Sequence, residues 1–447
     1  MKKIAIFSVL LLLAIGLLIG GRCGCRGGTT KTSKVDPLPE QKDSTVRVNA
    51  VNVYIENSGS MNGYINGVTD FKGAIGALLA KLPYFYNKED VKVRFINTRI
   101  DSLTIKNVDL HDFVSQLNLL WSEAKREGRV GKDTKLNGIF RDILEQTDNH
   151  TISILFSDCI YSIGKGGVED LLKYEKSLTM NAFLMKWKND SVPLATTIVK
   201  MKSKFEGPYY PYIGDNFNFP IKMDRPYYIC VIANRELLND FNKNIKLEAG
   251  EIDGFENKYV LSSENPKNIY WSVLNRSFNQ GRFKTDRKKS NKDYIRGIAG
   301  VSLTRGTDNL RFAVAVNFSN VQAENDYICN PENYHVITDN FNVVKVAAFN
   351  PRELDKGDCN MVKDANPTHI ILLQSTTKKL NNTEVSFVLK KQMPQWINDS
   401  HTEDDTHVSK LGGKTFGLKY WVEGISDAYE IIYPDNENYF ECSISIK

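Results

Sequence analysis

One carboxylate and two serine hydroxyls lie close together in the segment Glu56–Ser60, at the positions of Glu56, Ser58 and Ser60. The apolar segment Val51–Ile55 directly precedes them and is typical of a buried β-strand. Open α/β sheets place ligand sites at the carboxyl ends of their strands. Hydroxyl and carboxylate oxygens are the ligands that hard divalent cations prefer. The turn is therefore a candidate metal site.

Two later segments supply further oxygen ligands for such a site. Thr134 lies in a polar loop just before the segment Gly138–Leu144, whose apolar spacing predicts a helix. Asp158 follows the strand-like segment Thr151–Ser157. Strand ends of one sheet meet at a common edge, so we expect these oxygens to join those of the Glu56 turn.

With these residues, segment 48–245 resembles a von Willebrand factor type A domain, whose metal-ion-dependent adhesion site combines a DxSxS turn, a distant Thr and a later Asp. The resemblance implies that Ser58, Ser60 and Thr134 coordinate Mg²⁺ or Mn²⁺ and that Asp158 acts mostly through water. It also implies that a carboxylate of a protein partner completes the octahedron. Glu56 stands in the position of the first Asp and departs from the pattern. Its extra methylene either displaces a bridging water or crowds the ion.

A structural alternative exists for the same residues. Ser58 and Ser60 would then cap the helix that follows, and Asp158 would be an ordinary turn acid.

Strand-like and helical segments alternate through residues 48–245, which favours an α/β fold with a doubly wound, mostly parallel sheet. Strands are predicted at Val51–Ile55, Val91–Ile96, Ile152–Ser157, Leu194–Val199 and Tyr227–Ala233, and helices at Asp70–Leu82, Leu110–Leu120, Gly138–Leu144, Val168–Trp187 and Arg235–Phe241. An insertion dense in Tyr and Phe, Phe205–Pro220, interrupts this order. Its rings either form a recognition surface or pack inside the protein.

Residues 250–447 predict a second, β-rich domain with an antiparallel, sandwich-like architecture. Strands are predicted at Ile269–Leu274, Leu310–Phe318, Val343–Phe349, His369–Leu373, Glu384–Leu389 and Phe416–Val422. Cys329 and Cys359 lie in turn-like contexts and are a candidate disulfide in an exported protein. The acidic stretch His401–His407 is typical of a solvated loop.

The N-terminus predicts contact with a membrane. Residues 1–26 combine a positive start with a long apolar segment, which is typical of an export signal or a single membrane anchor. Cys23 or Cys25 is a candidate lipidation site, so the chain is either a lipoprotein or carries one transmembrane helix. Residues 27–47 are polar, contain Pro37 and Pro39, and predict a flexible tether. We expect the globular part outside the cytoplasm, in the cell envelope.

Three functional hypotheses follow from these patterns. The leading one is a membrane-tethered binding module, not an enzyme, that uses the cation to capture an acidic side chain of a partner protein. The second is a metal-free scaffold that recognises partners through the aromatic insertion and the β-rich domain. The third, an envelope metal-dependent hydrolase, is disfavoured because no general base stands beside the turn and no GxSxG or HExxH motif is present. The net charge of +5, spread over 447 residues, argues against nucleic acid as a partner.

Overall fold

The computed structural model describes residues 47–447 except 98, 102–109, 131–134, 165, 213–217, 263–267, 304–305, 307, 379, 381–382 and 435–436, and it describes the backbone alone at 110–112 and 408. The described residues all belong to one compact unit. The predicted signal or anchor segment, 1–26, lies outside the described residues, and so does the predicted tether, 27–47, except for residue 47. Within the described part, no helix is both long enough and apolar enough to cross a membrane.

Six strands form the first sheet. They are β1 (Ala50–Glu56), β2 (Val91–Ile96), β3 (Thr151–Ser157), β4 (Leu194–Tyr209), β5 (Phe219–Asn234) and β6 (Phe255–Ser262). Their spatial order is β2-β1-β3-β5-β4-β6. The strand β6, from the predicted β-rich segment, forms one edge of this sheet.

The first sheet is mixed, whereas the sequence predicts a mostly parallel one. β1 pairs in parallel with β2 and with β3. β5 is antiparallel to both β3 and β4, and β6 is antiparallel to β4. The reason lies in the aromatic insertion, since much of Phe205–Pro220 extends β4 and β5 into one long hairpin. Two strands joined by a hairpin must run in opposite directions.

Helices cover both faces of this sheet, and α7 and α8 pack against the later strands. The α-helices of the described residues are α1 (Asn62–Ile65), α2 (Asp70–Phe85), α3 (Leu110–Arg126), α4 (Leu136–Glu145), α5 (Val168–Asp190), α6 (Arg235–Asn244), α7 (Asn325–Cys329), α8 (Lys356–Val362), α9 (Gln395–Asp399) and α10 (Leu418–Ile432). Short 3₁₀ helices span Gly59–Met61, Lys88–Asp90, Pro331–Asn333, Pro351–Glu353, Lys363–Ala365 and Val408–Lys410. The five helices predicted in the first half are confirmed, with ends that differ by a few residues.

Alternation along β1 explains the two layers. Val51, Val53 and Ile55 share an apolar cluster with residues of α2, α3 and α6. Tyr54 points to the opposite face and joins a second cluster with residues of α4, α5 and α10. Successive side chains of a strand point to opposite faces, so a continuous apolar strand with helices on both sides is buried on both.

The remaining strands form two sheets that share one apolar core. The four-stranded sheet contains β7 (Trp271–Val273), β10 (Arg311–Val316), β12 (Phe341–Ala348) and β13 (His369–Ser375), and the five-stranded sheet contains β8 (Arg282–Thr285), β9 (Gly297–Ser302), β11 (Tyr334–Val336), β14 (Thr383–Lys390) and β17 (Asn438–Ile446). Side chains such as Phe312 of β10 and Phe387 of β14 meet in that core. All pairs in these two sheets are antiparallel except β9 with β17. A two-stranded parallel ladder joins β15 (His401–Thr402) to β16 (Thr415–Phe416).

Two expectations for the second half are wrong. Of the predicted strand Phe416–Val422, only Phe416 lies in a strand, as the last residue of β16. Leu418–Val422 instead begins helix α10, because Leu418, Trp421, Val422 and Ile425 continue at helical spacing and are all buried. The predicted disulfide is absent, since Cys329 and Cys359 are free thiols. They lie in separate helices, α7 and α8, whose buried side chains belong to different apolar clusters.

Candidate functional site

The predicted turn lies at the carboxyl end of β1, between two parallel neighbours. The backbone N–H of Asn57 still donates to the carbonyl of Ile96, at 2.9 Å, and fixes the point where the chain leaves the sheet. Ser58 is extended, and the 3₁₀ turn Gly59–Met61 leads directly into α1. The hydroxyl of Tyr64 donates to the Pro226 carbonyl at 2.5 Å and anchors α1 to β5. The turn is therefore held at both ends.

Four of the five predicted site residues converge here. The hydroxyl oxygens of Ser58 and Ser60 are 2.9 Å apart and share a hydrogen bond. Ser60 also hydrogen-bonds the carboxyl group of Asp158. Glu56 accepts a hydrogen bond from the hydroxyl of Ser157, the last residue of β3. The ends of β1 and β3 thus bring together three hydroxyls, of Ser58, Ser60 and Ser157, and two carboxyl groups, of Glu56 and Asp158. Thr134, the fifth predicted residue, lies outside the described residues.

The β3 end of the cluster is tightly constrained. The Asp158 carboxylate accepts from the backbone N–H of Ile160 at 3.2 Å, and the hydroxyl of Ser157 accepts from the N–H of Cys159 at 2.8 Å. Cys159 has a φ of 52°, a left-handed conformation that costs free energy for any residue except glycine. These two hydrogen bonds stabilise that conformation and direct Asp158 toward the serines.

The cluster is almost fully enclosed. Glu56 is 1% exposed, Ser58 2% and Asp158 3%, whereas Ser60 is only partly buried. Burial raises the pKa of Asp158 because it disfavours the charged form, and the hydrogen bond from Ser60 partly opposes this rise. Ser60 and its neighbour Gly59 are therefore the face of the site that solvent reaches.

A buried arginine supplies a fixed positive charge beside the cluster. Arg225 of β5 is 1% exposed, and its charge lowers the pKa of Asp158 against the effect of burial. Its guanidinium lies 4.7 Å from the centre of the Tyr209 ring and donates to the Lys414 carbonyl at 3.3 Å. The guanidinium therefore lies between the turn and a loop from the C-terminal part of the chain.

That loop contributes a third buried carboxyl group, Asp405. It is 0% exposed and accepts hydrogen bonds from the Tyr209 hydroxyl at 2.7 Å and from the Tyr212 N–H at 3.1 Å. Burial raises the pKa of Asp405, and the charge of Arg225 lowers it in part. The prediction of a solvated loop at His401–His407 is wrong for this residue, because the β4–β5 hairpin covers it.

The same hairpin packs against the turn itself. A Cβ added to Gly63 would lie 2.4 Å from the Phe205 ring, and one added to Gly207 would lie 2.8 Å from the Gly63 backbone, so both positions require glycine. The Tyr210 ring covers Gly59, and Tyr212 stacks on Phe416 with ring centres 5.1 Å apart. The described aromatic residues of the insertion are therefore buried or half-buried, which favours the second interpretation of the sequence.

Arg225, Asp405 and Ser157 were not predicted as parts of the site. Arg225 carries a signal in the sequence, since a single arginine beside the apolar segment Tyr227–Ala233 requires a buried partner for its charge. Asp405 carries none, because nothing local distinguishes it from its acidic neighbours. Its position follows only from the long hairpin between β4 and β5.

The donor set suits a divalent cation. Hydroxyl and carboxyl oxygens are hard ligands, and the single guanidinium of Arg225 acts on two buried carboxyl groups, those of Asp158 and Asp405. Among the described residues, no group of three or more His, Cys, Asp and Glu side chains is arranged to hold a metal ion. The candidate site differs from such a group because serine hydroxyls supply part of its oxygen ligands. Comparison of the chain with protein-family models, curated proteins and solved structures gives no match.

Proposed function

We propose that this chain is a membrane-tethered binding module of the von Willebrand factor type A kind. Its Glu56 turn would hold Mg²⁺ or Mn²⁺ and capture an acidic side chain of a partner protein. The observation that supports this most directly is the convergence of Ser58, Ser60 and Asp158 at the ends of two adjacent parallel strands. Thr134 would add a third hydroxyl.

The balance of buried charge favours a bound cation. Glu56, Asp158 and Asp405 are each at most 3% exposed, and Arg225 offers a single opposing charge. When all three ionise, these buried carboxyl groups carry two more negative charges than the guanidinium supplies. Isolated buried charges are costly, and one divalent cation would neutralise this excess. The cation would supply Lewis acidity and one open coordination position for the partner.

The partner would approach from the partly exposed side of the turn. Gly59 and Ser60 are the members of the segment Glu56–Ser60 that solvent reaches. A cation at the rim of a low-dielectric sheet attracts a carboxylate more strongly than surface lysines do, because water screens it less. The N-terminal segment would tether this face outside the cytoplasm.

One set of contacts favours the metal-free scaffold as a second function. The charge of Arg225 already acts on both Asp158 and Asp405 and lowers the pKa of each. The ring of Tyr210 covers Gly59, so the turn is partly closed on its outer side. In this case the cluster would be structural, and partner capture would proceed unchanged in excess chelator.

Calorimetric titration of Mg²⁺ and Mn²⁺ into the full-length chain separates the two functions. We expect the wild type to bind and the double variant S58A/S60A to lose the binding heat. The matched control is S386A/S443A, which removes another hydroxyl pair, 2.6 Å apart, on the exposed face of β14 and β17. Absence of binding heat in the wild type would support the scaffold. Equal heats in wild type and S58A/S60A would contradict the proposed site.

A further inference from the structure

A second cleft lies far along the chain from the serine turn, where the first sheet meets the five-stranded sheet. Its volume is about 480 Å³, and α10, the edge strand β6, the start of β17 and the segment after β14 line it. Small-molecule sites in proteins have volumes of about 300–1,000 Å³. The cleft is therefore large enough for a small organic ligand.

Lys391 extends its amine into this cleft, and it forms no ion pair with any described carboxylate. Its Nζ donates to the carbonyl of Ser262 at 3.4 Å and lies 5.4 Å from the centre of the Tyr439 ring. No carboxylate of the described residues lies within 4.0 Å of this amine. A lysine that is partly buried against a ring and a backbone carbonyl has lost much of the water that stabilises its charge.

Three of the other charges that line the cleft pair with one another. Lys176 pairs with Glu423 at 3.1 Å and with Asp427 at 2.8 Å, both on α10. Glu430, also on α10, acts on Lys391 only through its field, and this favours the charged amine. Burial has the larger effect and lowers the pKa of Lys391 to about 7. In about half of the molecules the amine is then neutral near pH 7, and the neutral amine is the nucleophilic form.

We propose that Lys391 is a reactive amine that captures a small aldehyde with an aromatic body as an imine in this cleft. The lone pair of Nζ forms a bond to the carbonyl carbon while the carbonyl π electrons move to oxygen. One proton passes from nitrogen to that oxygen and gives a carbinolamine. The nitrogen lone pair then forms the C=N bond as the C–O bond breaks, and the remaining N–H proton passes to the departing hydroxyl, which leaves as water. The rings of Tyr259, Tyr429 and Tyr439 would hold the aromatic body of the aldehyde.

The test is reductive trapping followed by peptide mass spectrometry. The full-length chain is treated with benzaldehyde and cyanoborohydride between pH 6 and pH 10.5, and a parallel series uses formaldehyde. Lys390 is the matched internal control, because it is the adjacent residue in sequence and is exposed. An amine with a pKa of about 7 is neutral roughly 10³ times more often at pH 7 than an ordinary lysine amine, so we expect trapping at Lys391 to exceed that at Lys390 by about this factor. The excess should shrink as the pH rises.

Each outcome decides the proposal. Trapping at Lys391 that equals or falls below that at Lys390 at pH 7 would overturn it. Rapid reaction with formaldehyde but not with benzaldehyde would show that the cleft excludes the proposed ligand, and this would overturn it too. E430Q should leave the reactivity intact and move its pH midpoint downward, because Glu430 favours the charged amine. An unmoved midpoint would contradict the assignment of the reactive group to this cleft.

Discussion

Replacing Asp158 by Asn tests whether the buried cluster carries a cation. Asn has nearly the same shape and still accepts a hydrogen bond from Ser60, so the substitution removes charge and little else. Burial raises the pKa of Asp158, which means that its ionised form is disfavoured in the folded protein. Without metal, we expect D158N to be at least as stable as the wild type at neutral pH. With metal, D158N should lack most of the stabilisation that the cation gives to the wild type.

The magnitude follows from binding linkage and chain size. A ligand at 100 times its Kd stabilises the folded state by about 2.7 kcal/mol. The compact unit has about 400 residues, and unfolding entropy is about 2.1 cal/mol/K per residue. Mg²⁺ should therefore raise the Tm of the wild type by about 3 °C, and that of D158N by less than 1 °C. Thermal unfolding followed by circular dichroism, with MgCl₂ and with EDTA, measures both shifts.

The control for this experiment is another aspartate of equal burial. Asp358 is also 3% exposed, but it accepts hydrogen bonds from the N–H groups of Asn275, Arg276 and Ser277 and from the Ser277 hydroxyl. D358N should lose about 2–4 kcal/mol of stability, because the Asn amide places a donor against these donors, and should keep the full Mg²⁺ shift. A D158N protein that keeps the wild-type Mg²⁺ shift would refute the reasoning.

The pH dependence of the same shift gives a second measurement. The folded pKa of Asp158 lies above its unfolded value, so the metal-free protein loses stability as pH rises from the unfolded pKa through the folded one. A cation competes with the proton for the carboxylate. The Mg²⁺-dependent gain in Tm should therefore grow as pH rises through this window. A gain that is constant between pH 4 and pH 8 would contradict proton competition.

Three further predictions address the surroundings of the two sites. R225M should destabilise the protein by about 3–5 kcal/mol in urea unfolding, because it leaves buried carboxyl groups without their cation; a loss below 1 kcal/mol would contradict this role. G63A should lower the free energy of unfolding by about 1–3 kcal/mol, since its new Cβ meets the Phe205 ring at 2.4 Å. G73A, on an open face of α2, should raise it by up to about 1 kcal/mol. Equal effects of the two substitutions would exclude close packing at Gly63. K391M should be more stable than the wild type by roughly 1–3 kcal/mol at pH 7, after allowance for solvent screening. The difference should vanish toward pH 10.5, because the folded pKa of Lys391, about 7, lies below the unfolded value of 10.5. A stability difference that does not change with pH would contradict a buried charged amine.

The sequence predicts the turn well because its determinants are local. The apolar segment Val51–Ile55 predicts a buried strand, and the polar residues after it predict the chain reversal. Asp158 can be predicted for the same reason, since it directly follows β3. Two adjacent parallel strands then place both segments at one edge of the sheet. Local sequence pattern and simple sheet topology are therefore enough to predict the positions of the Glu56 turn and Asp158.

The other half cannot be predicted locally, because it depends on long-range packing. The insertion was expected to be a loop, but most of it extends β4 and β5, and the resulting hairpin reaches Asp405. Helix α10 begins with a strand-like sequence, and its fifteen-residue helical periodicity appears only when the full segment is considered. A short apolar run does not distinguish a strand from a buried helix segment.

The contacts around Asp405 also connect the two halves of the chain at the proposed cation site. Glu56, Ser58 and Asp158 lie in the first half, but Asp405 and the Lys414 carbonyl, which complete the environment of Arg225, lie in the second. The exclusion of water by this loop raises the pKa of Asp405, and a low dielectric strengthens the attraction of the cluster for a cation. The C-terminal segment therefore acts on the proposed cation site through burial and charge. Metal affinity at Ser58 and Ser60 should be set in part by residues some 350 positions away in sequence.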